Sequence, residues 1–221
     1  MIIPLSHPLT PETPLYPNTP PPMIQPHRAL KNGDSANTSS ITFTSHSGTH
    51  IDVPRHFCRD GKTVSDYFTL NASFYPVYCI DTPKEKQEEI IVSDLENEIS
   101  RIKDAESILI KTGWHFIRSK NPDQYMTDHP WVSSKVPRFL REQFPYLRLF
   151  GLDQISLSSP LHSEEGHECH RQFLCEKKPI LVLEDLNLSD IRIKGPFKMH
   201  IFPYIIGSFD GTPVTVIAEI P

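Results

Sequence analysis

The sequence has no apolar run approaching the ~20 residues of a membrane-spanning helix, and its opening Met-Ile-Ile-Pro-Leu-Ser carries no basic stretch ahead of an apolar one. Neither a membrane span nor an export leader is expected. Basic charge is also scarce. Lys and Arg number 22 against 27 Asp and Glu, a formal charge of −5 that offers no broad basic surface to nucleic acid. Cys58, Cys79, Cys169 and Cys175 form no CxxC pair, so free thiols in a reducing cytoplasm are the expectation. No internal repeat is evident, and 221 residues suffice to bury one substantial core.

What is abundant is proline, with 22 residues. Several crowd into Pro8–Pro26, where missing donors and restricted neighbours argue against regular structure. Residues 1–30 read as a short strand followed by a Pro-rich arm, which would serve as a lid tipped by Tyr16 or as an oligomer contact. Beyond the arm, Ser39 to Ser45 alternates apolar and hydroxyl residues like a half-buried strand. Strands are expected at Tyr75–Asp81, Ser107–Lys111, Leu147–Leu152 and Ile180–Leu183. A capping box at Ser93–Glu96 predicts a helix continuing through Leu95, Ile99 and Ile102, and a second helix is expected from about Val136 to Phe144. Strands alternating with helices indicate an α/β domain with functional loops at strand ends.

The most informative stretch is Ser45–Phe57. His46, His50, Asp52 and His56 all fall on even positions, the period of an extended chain. A helix, at about 100° per residue, would scatter them, and Gly48 and Pro54 oppose a helix as well. Three imidazoles and a carboxylate on one face of an extended run point to a shared divalent cation. The stretch is not a helical His-Glu-x-x-His motif, because Ser47 stands where the Glu would be. A second polar cluster follows at His162–His170, with a helix expected to begin at His170. Glu184 closes the strand after it, where a carboxylate behind four aliphatic residues needs a partner. His167 and His170 are the competing candidates for a further ligand.

The string His46-x-Gly48-Thr49-His50-x-Asp52-x-Pro54-x-His56 resembles the signature of the metal-dependent cyclase family, which includes bacterial kynurenine formamidases (arylformamidases) and isatin hydrolases. The likeness extends to Leu5–Leu9, Pro14–Pro17, Lys111–Trp114, His129-Pro130, Phe150–Asp153 and Phe209–Pro213. It implies a swivelling β/β/α fold and a site in which His46, His50, Asp52, His170 and Glu184 hold one or two divalent ions. Zinc is the first choice and manganese the second. It also implies His56 as the catalytic acid/base and Tyr16 as a substrate-facing aromatic, where kynurenine formamidases carry Trp. A homodimer or homotetramer with an arm near its neighbour is implied too.

The expected chemistry is metal-assisted hydrolysis of an amide or lactam in a small aromatic compound, with His56 passing a proton from water to the leaving nitrogen. The alternatives are a lyase or cyclisation on the same site, a metal-binding scaffold without catalysis, and a closed structural zinc site. The last of these is usually richer in Cys.

Overall fold

The computed structural model describes residues 1–68, 72–190 and 192–220. In its first half, strands β1 (Ile2–Pro4), β2 (Met23–Arg28), β3 (Thr38–Thr42) and β4 (His50–Asp52) precede the single-turn helix α1 (Val64–Tyr67) and strand β5 (Ser73–Asp81). Then follow β6 (Glu89–Ile90), α2 (Ser93–Glu96), β7 (Ser107–Lys111), α3 (His115–Lys120), α4 (Pro122–Thr127), β8 (Trp131–Val132), α5 (Val136–Gln143) and β9 (Leu149–Leu152). The chain closes with α6 (Ser163–Leu174), β10 (Leu181–Glu184), β11 (Phe197–Pro203) and β12 (Gly211–Glu219).

The aliphatic strands form one mixed sheet in the order β1-β12-β11-β5-β7-β9-β10-β4, and β4 also pairs with β12, so the sheet closes like a barrel. β5, β7, β9 and β10 run parallel, whereas β4 is antiparallel to both β10 and β12. This is the mixed α/β architecture expected.

Side-chain alternation divides the apolar residues between two cores. Val77, Leu109, Leu149 and Leu183 belong to the inner one; Tyr78, Ile108, Phe150 and Val182 belong to the outer one, beneath α5 and α6. Ile51 belongs to the inner core, so His50 and Asp52 must face the other way.

Several sequence expectations are corrected. The His-rich stretch is not one extended run: Gly48 takes φ +65°, only 50–52 form a strand, and Pro54–His56 is a 3-10 turn. Gly and Pro break the strand on either side, yet the side chains still converge. Ser93 is not a capping residue. Asp94 instead accepts from the backbone N–H of Ile91 at 2.7 Å, and the helix lasts one turn.

The strand expected at Ser39–Ser45 is β3, but it pairs only with β2 in a hairpin exposed at every position. β2 itself contains Pro26, where regular structure was not expected. An outlying hairpin strand tolerates a residue without a donor. Helix α6 begins at Ser163 rather than His170, because Glu164 and Glu165 suit its first turn. The expectation of four free thiols also fails. Cys58 and Cys175 form a disulfide across 117 residues, leaving Cys79 and Cys169 free and buried. Cysteine usage therefore no longer argues for a reducing compartment. Among the described residues no helix is long and apolar enough to cross a membrane.

Candidate metal centre

The β4–β10 register places His50 directly opposite Glu184, with Asp52 opposite Val182. His50 Nε2 lies 3.2 Å from Glu184 Oε2 and 3.5 Å from Asp52 Oδ1. Helix α6 brings His170 to the same place, its Nε2 3.4 Å from Glu184 Oε1 and 3.7 Å from Asp52 Oδ2. The other ring nitrogens are committed. His50 Nδ1 donates to the Gly48 carbonyl at 2.8 Å and His170 Nδ1 to the Gly166 carbonyl at 2.7 Å. A carbonyl can only accept, so in the neutral rings each Nε2 turns a lone pair toward carboxylate oxygens.

Lone pairs facing lone pairs in a buried site need a proton or a cation between them. Asp52 Oδ2 is buried without a hydrogen-bond partner, and Asp52, Glu184, His50 and His170 are all nearly inaccessible. These donors fit a divalent ion, being imidazole and carboxylate groups on rigid elements. Glu184 is steadied by the N–H of Leu157 at 2.7 Å, and Phe57 stacks on the His170 ring at 4.7 Å.

His46 and His56 flank this group. His46 Nδ1 lies 2.8 Å from Asp52 Oδ1, and its ring lies 3.9 Å from that of His56. His46 Nε2 and His56 Nδ1 both meet Asp210 Oδ2, at 3.0 and 3.2 Å. Asp210 is not among the residues the sequence singles out, although it falls within the Phe209–Pro213 block of resemblance. It stands 154 residues from His56 and reaches the site because β12 pairs with β4, Gly211 opposite Asp52.

The imidazoles and carboxylates of the cluster set one another's electrostatics. Burial opposes charge on His46, but Asp52 and Asp210 raise its imidazole to about 10. Burial likewise opposes charge on His50 and His170, and the carboxylates of Glu184 and Asp52 raise both. Asp52 falls well below the usual carboxylate range despite burial, held there by His46 and His56. Glu184 is lowered too, as His170 and His50 outweigh burial and the charge of Asp52.

The cluster forms one wall of a cavity of about 280 Å³. Tyr16, Phe57 and Ile155 line it, as do Ser156, Ser158 and His167. Tyr16, the candidate substrate-facing aromatic, lines the same cavity as the cluster. His167 reaches the cavity and packs against Phe57 at 5.7 Å, but His170 is the one that meets the carboxylates. His115 pairs instead with Asp153, His129 with the Pro130 carbonyl, His162 with the Trp131 ring, and His200 with Glu219.

Behind Glu184, Asp185 turns the chain at φ +55°. Its carboxylate accepts from Arg118 Nε and a terminal nitrogen at 2.7 and 2.8 Å, and from the Tyr125 hydroxyl at 2.6 Å.

Known proteins resemble this chain over most of its length. Kynurenine formamidase of Bacillus mycoides (strain KBAB4) is 30% identical over 217 residues, covering 97% of this chain and 95% of that protein. The solved structure of isatin hydrolase A from Labrenzia aggregata superposes with a TM-score of 0.81 at 23% identity, over 99% of this chain and 93% of that one. A Bacillus stearothermophilus structure described as a "predicted metal-dependent hydrolase" gives a TM-score of 0.77 at 22% identity, over 99% and 97% of the two chains. The family described as "Putative cyclase" matches residues 3–159, a span that contains the whole His-rich stretch. By that match the chain belongs to the cyclase family.

Proposed function

We propose that this protein is a metal-dependent hydrolase that cleaves a C–N bond of an amide or lactam in a small aromatic compound. The leading activity is of the arylformamidase type, converting N-formylkynurenine to kynurenine and formate. The observation that carries the reading is the pair of imidazoles, His50 and His170, whose Nδ1 atoms are spent on carbonyls while their Nε2 atoms face two buried carboxylates beside a cavity. His46, His50, Asp52, His170 and Glu184 would hold one or two ions. The donor set favours zinc first and manganese second. When bound, such an ion supplies Lewis acidity toward a carbonyl oxygen and toward water.

The chain's own residues do the rest. Tyr16 and Phe57 flank the space that a flat substrate would fill. His56 Nδ1 is held by Asp210, and its Nε2 makes no hydrogen bond among the described residues. That nitrogen takes the proton from the attacking water and returns it to the leaving nitrogen, help worth about 10²–10⁴ in rate. A lactam such as isatin is the second reading, because Tyr16 standing where kynurenine formamidases carry Trp counts against N-formylkynurenine and isatin hydrolase A shares the fold.

Chelator-treated protein should lose turnover of N-formylkynurenine, isatin or simple aryl formamides and recover it with Zn²⁺ or Mn²⁺. His56→Ala should keep its metal while losing about 10²–10⁴ in rate. No metal-dependent hydrolysis across that panel would end the proposal, and loss of metal from His56→Ala would make His56 a ligand.

We also propose a homodimer or homotetramer. Its seam would cover the β2–β3 hairpin, where Met23, Ile24 and Ile41 are exposed and Ile24 pairs directly with Ile41. A bare two-stranded hairpin is marginal in water. Light scattering that shows a monomer at micromolar concentration would rule this out.

A further inference from the structure

The two imidazoles flanking the cluster, His46 and His56, share one carboxylate oxygen. Asp210 Oδ2 receives His46 Nε2 at 3.0 Å and His56 Nδ1 at 3.2 Å. The opposite nitrogen of His46, Nδ1, is turned to Asp52 Oδ1 at 2.8 Å. The rings themselves lie nearly parallel, 30° apart with centroids at 3.9 Å, so neither can rotate without disturbing the other.

The backbone around Asp210 is fixed as firmly as its side chain. Its carbonyl accepts from the N–H of Val53, one residue ahead of the turn that carries His56. Phe209 accepts from Val64 at 3.0 Å. The next residue must be glycine for reasons of space: a Cβ on Gly211 would meet His46 Cε1 at 2.5 Å and the Ile51 carbonyl at 2.8 Å. Asp210 and Gly211 therefore form a fitted seat for the His46 ring.

We infer that Asp210 is a positioning residue for both imidazoles, a single oxygen that assigns His46 Nδ1 to the metal side and His56 Nε2 to proton transfer. A carboxylate can only accept when ionised, so it requires N–H at His46 Nε2 and at His56 Nδ1. Outer carboxylates of this kind fix the tautomer of a ligating His, and their loss typically costs about 10–100-fold in metal affinity or activity. Asp210 adds to that pattern by holding a second, non-ligating His on the same atom. The rate arm of this inference rests on the proposed hydrolysis; the affinity and tautomer arms need no substrate.

The test compares Asp210→Ala and Asp210→Asn with the full-length wild type. Zinc affinity is read by competition with a chromophoric chelator, and imidazole tautomers by ¹⁵N NMR of the zinc-loaded protein. Asp210→Ala should weaken zinc about 10–100-fold and lower kcat with little change in KM. It should also release His56 from the Nδ1–H form. Asp210→Asn keeps an acceptor oxygen in place and should restore part of both losses. The inference fails if Asp210→Ala leaves zinc affinity within about twofold and the His56 tautomer unchanged. It fails equally if both variants lose affinity only in step with cooperative unfolding, which is what a purely structural residue would do. Should the wild type bind zinc but hydrolyse none of the panel, the proposed activity falls while the affinity and tautomer results still judge Asp210.

Discussion

Removing the guanidinium of Arg118 should be among the most costly single changes in the molecule. Asp185 is buried, and its carboxylate takes two hydrogen bonds from Arg118, whose side chain is only 12% exposed. Arg118→Leu leaves that carboxylate with the Tyr125 hydroxyl as its one remaining side-chain donor among the described residues. Stripping one partner from a buried ion pair costs about 3–5 kcal/mol, because the other charge is stranded away from water. In a chain of this size each kcal/mol moves Tm by roughly 2–4 °C, so a fall of about 6–20 °C is expected. Thermal and urea unfolding of metal-free protein at neutral pH would measure it. The double variant Arg118→Leu, Asp185→Asn should recover part of the loss, since it removes the stranded charge as well. A cost below about 1 kcal/mol, the ordinary worth of a surface pair, would refute the account.

Acid should weaken the fold through His129. Burial lowers its imidazole to about 4, against the pull of the Pro130 carbonyl and Glu184. The folded state therefore keeps the ring neutral while the unfolded chain protonates it near 6.5, so its contribution is whole above pH 6.5 and lost as pH falls toward 4. That difference amounts to about 3 kcal/mol, and unfolding of His129→Gln should show a correspondingly flatter acid limb; parallel curves would contradict this. Thiol titration of unfolded, unreduced protein should find two free cysteines, Cys79 and Cys169, and four after reduction. Opening a bridge across 117 residues should cost about 4–5 kcal/mol in the chain-entropy account. Four thiols before reduction would show the bridge absent and restore the argument for a reducing compartment.

The site was legible in sequence to an unequal degree. Period-two spacing brought His46, His50, Asp52 and His56 together correctly, but for an incomplete reason. Only His50 and Asp52 share a strand; His46 arrives from a turn and His56 from a 3-10 turn. Glu184 was visible because a carboxylate after an aliphatic strand is anomalous locally. Asp210 gave no such signal. An Asp before a Gly reads as an ordinary turn, and only the β12–β4 pairing turns that position into part of the cluster. The Cys58–Cys175 bridge escaped for the same reason, since nothing in the spacing of two cysteines 117 residues apart reveals that they meet. The identity of β5, β7, β9 and β10 followed from aliphatic composition, whereas β11, β12 and the exposure of β3 did not, because alternation cannot say whether anything lies against the apolar face.

Strand β4 spans only three residues, yet neighbours flank it on both sides and bury it fully. A segment that short has no freedom to wait for its cargo before taking shape. Its histidine and aspartate are set when the sheet closes, so an arriving ion would enter a finished cage instead of organising one. Loading and unloading are thereby separated from folding, and a chelator should leave behind an empty protein that still melts cooperatively.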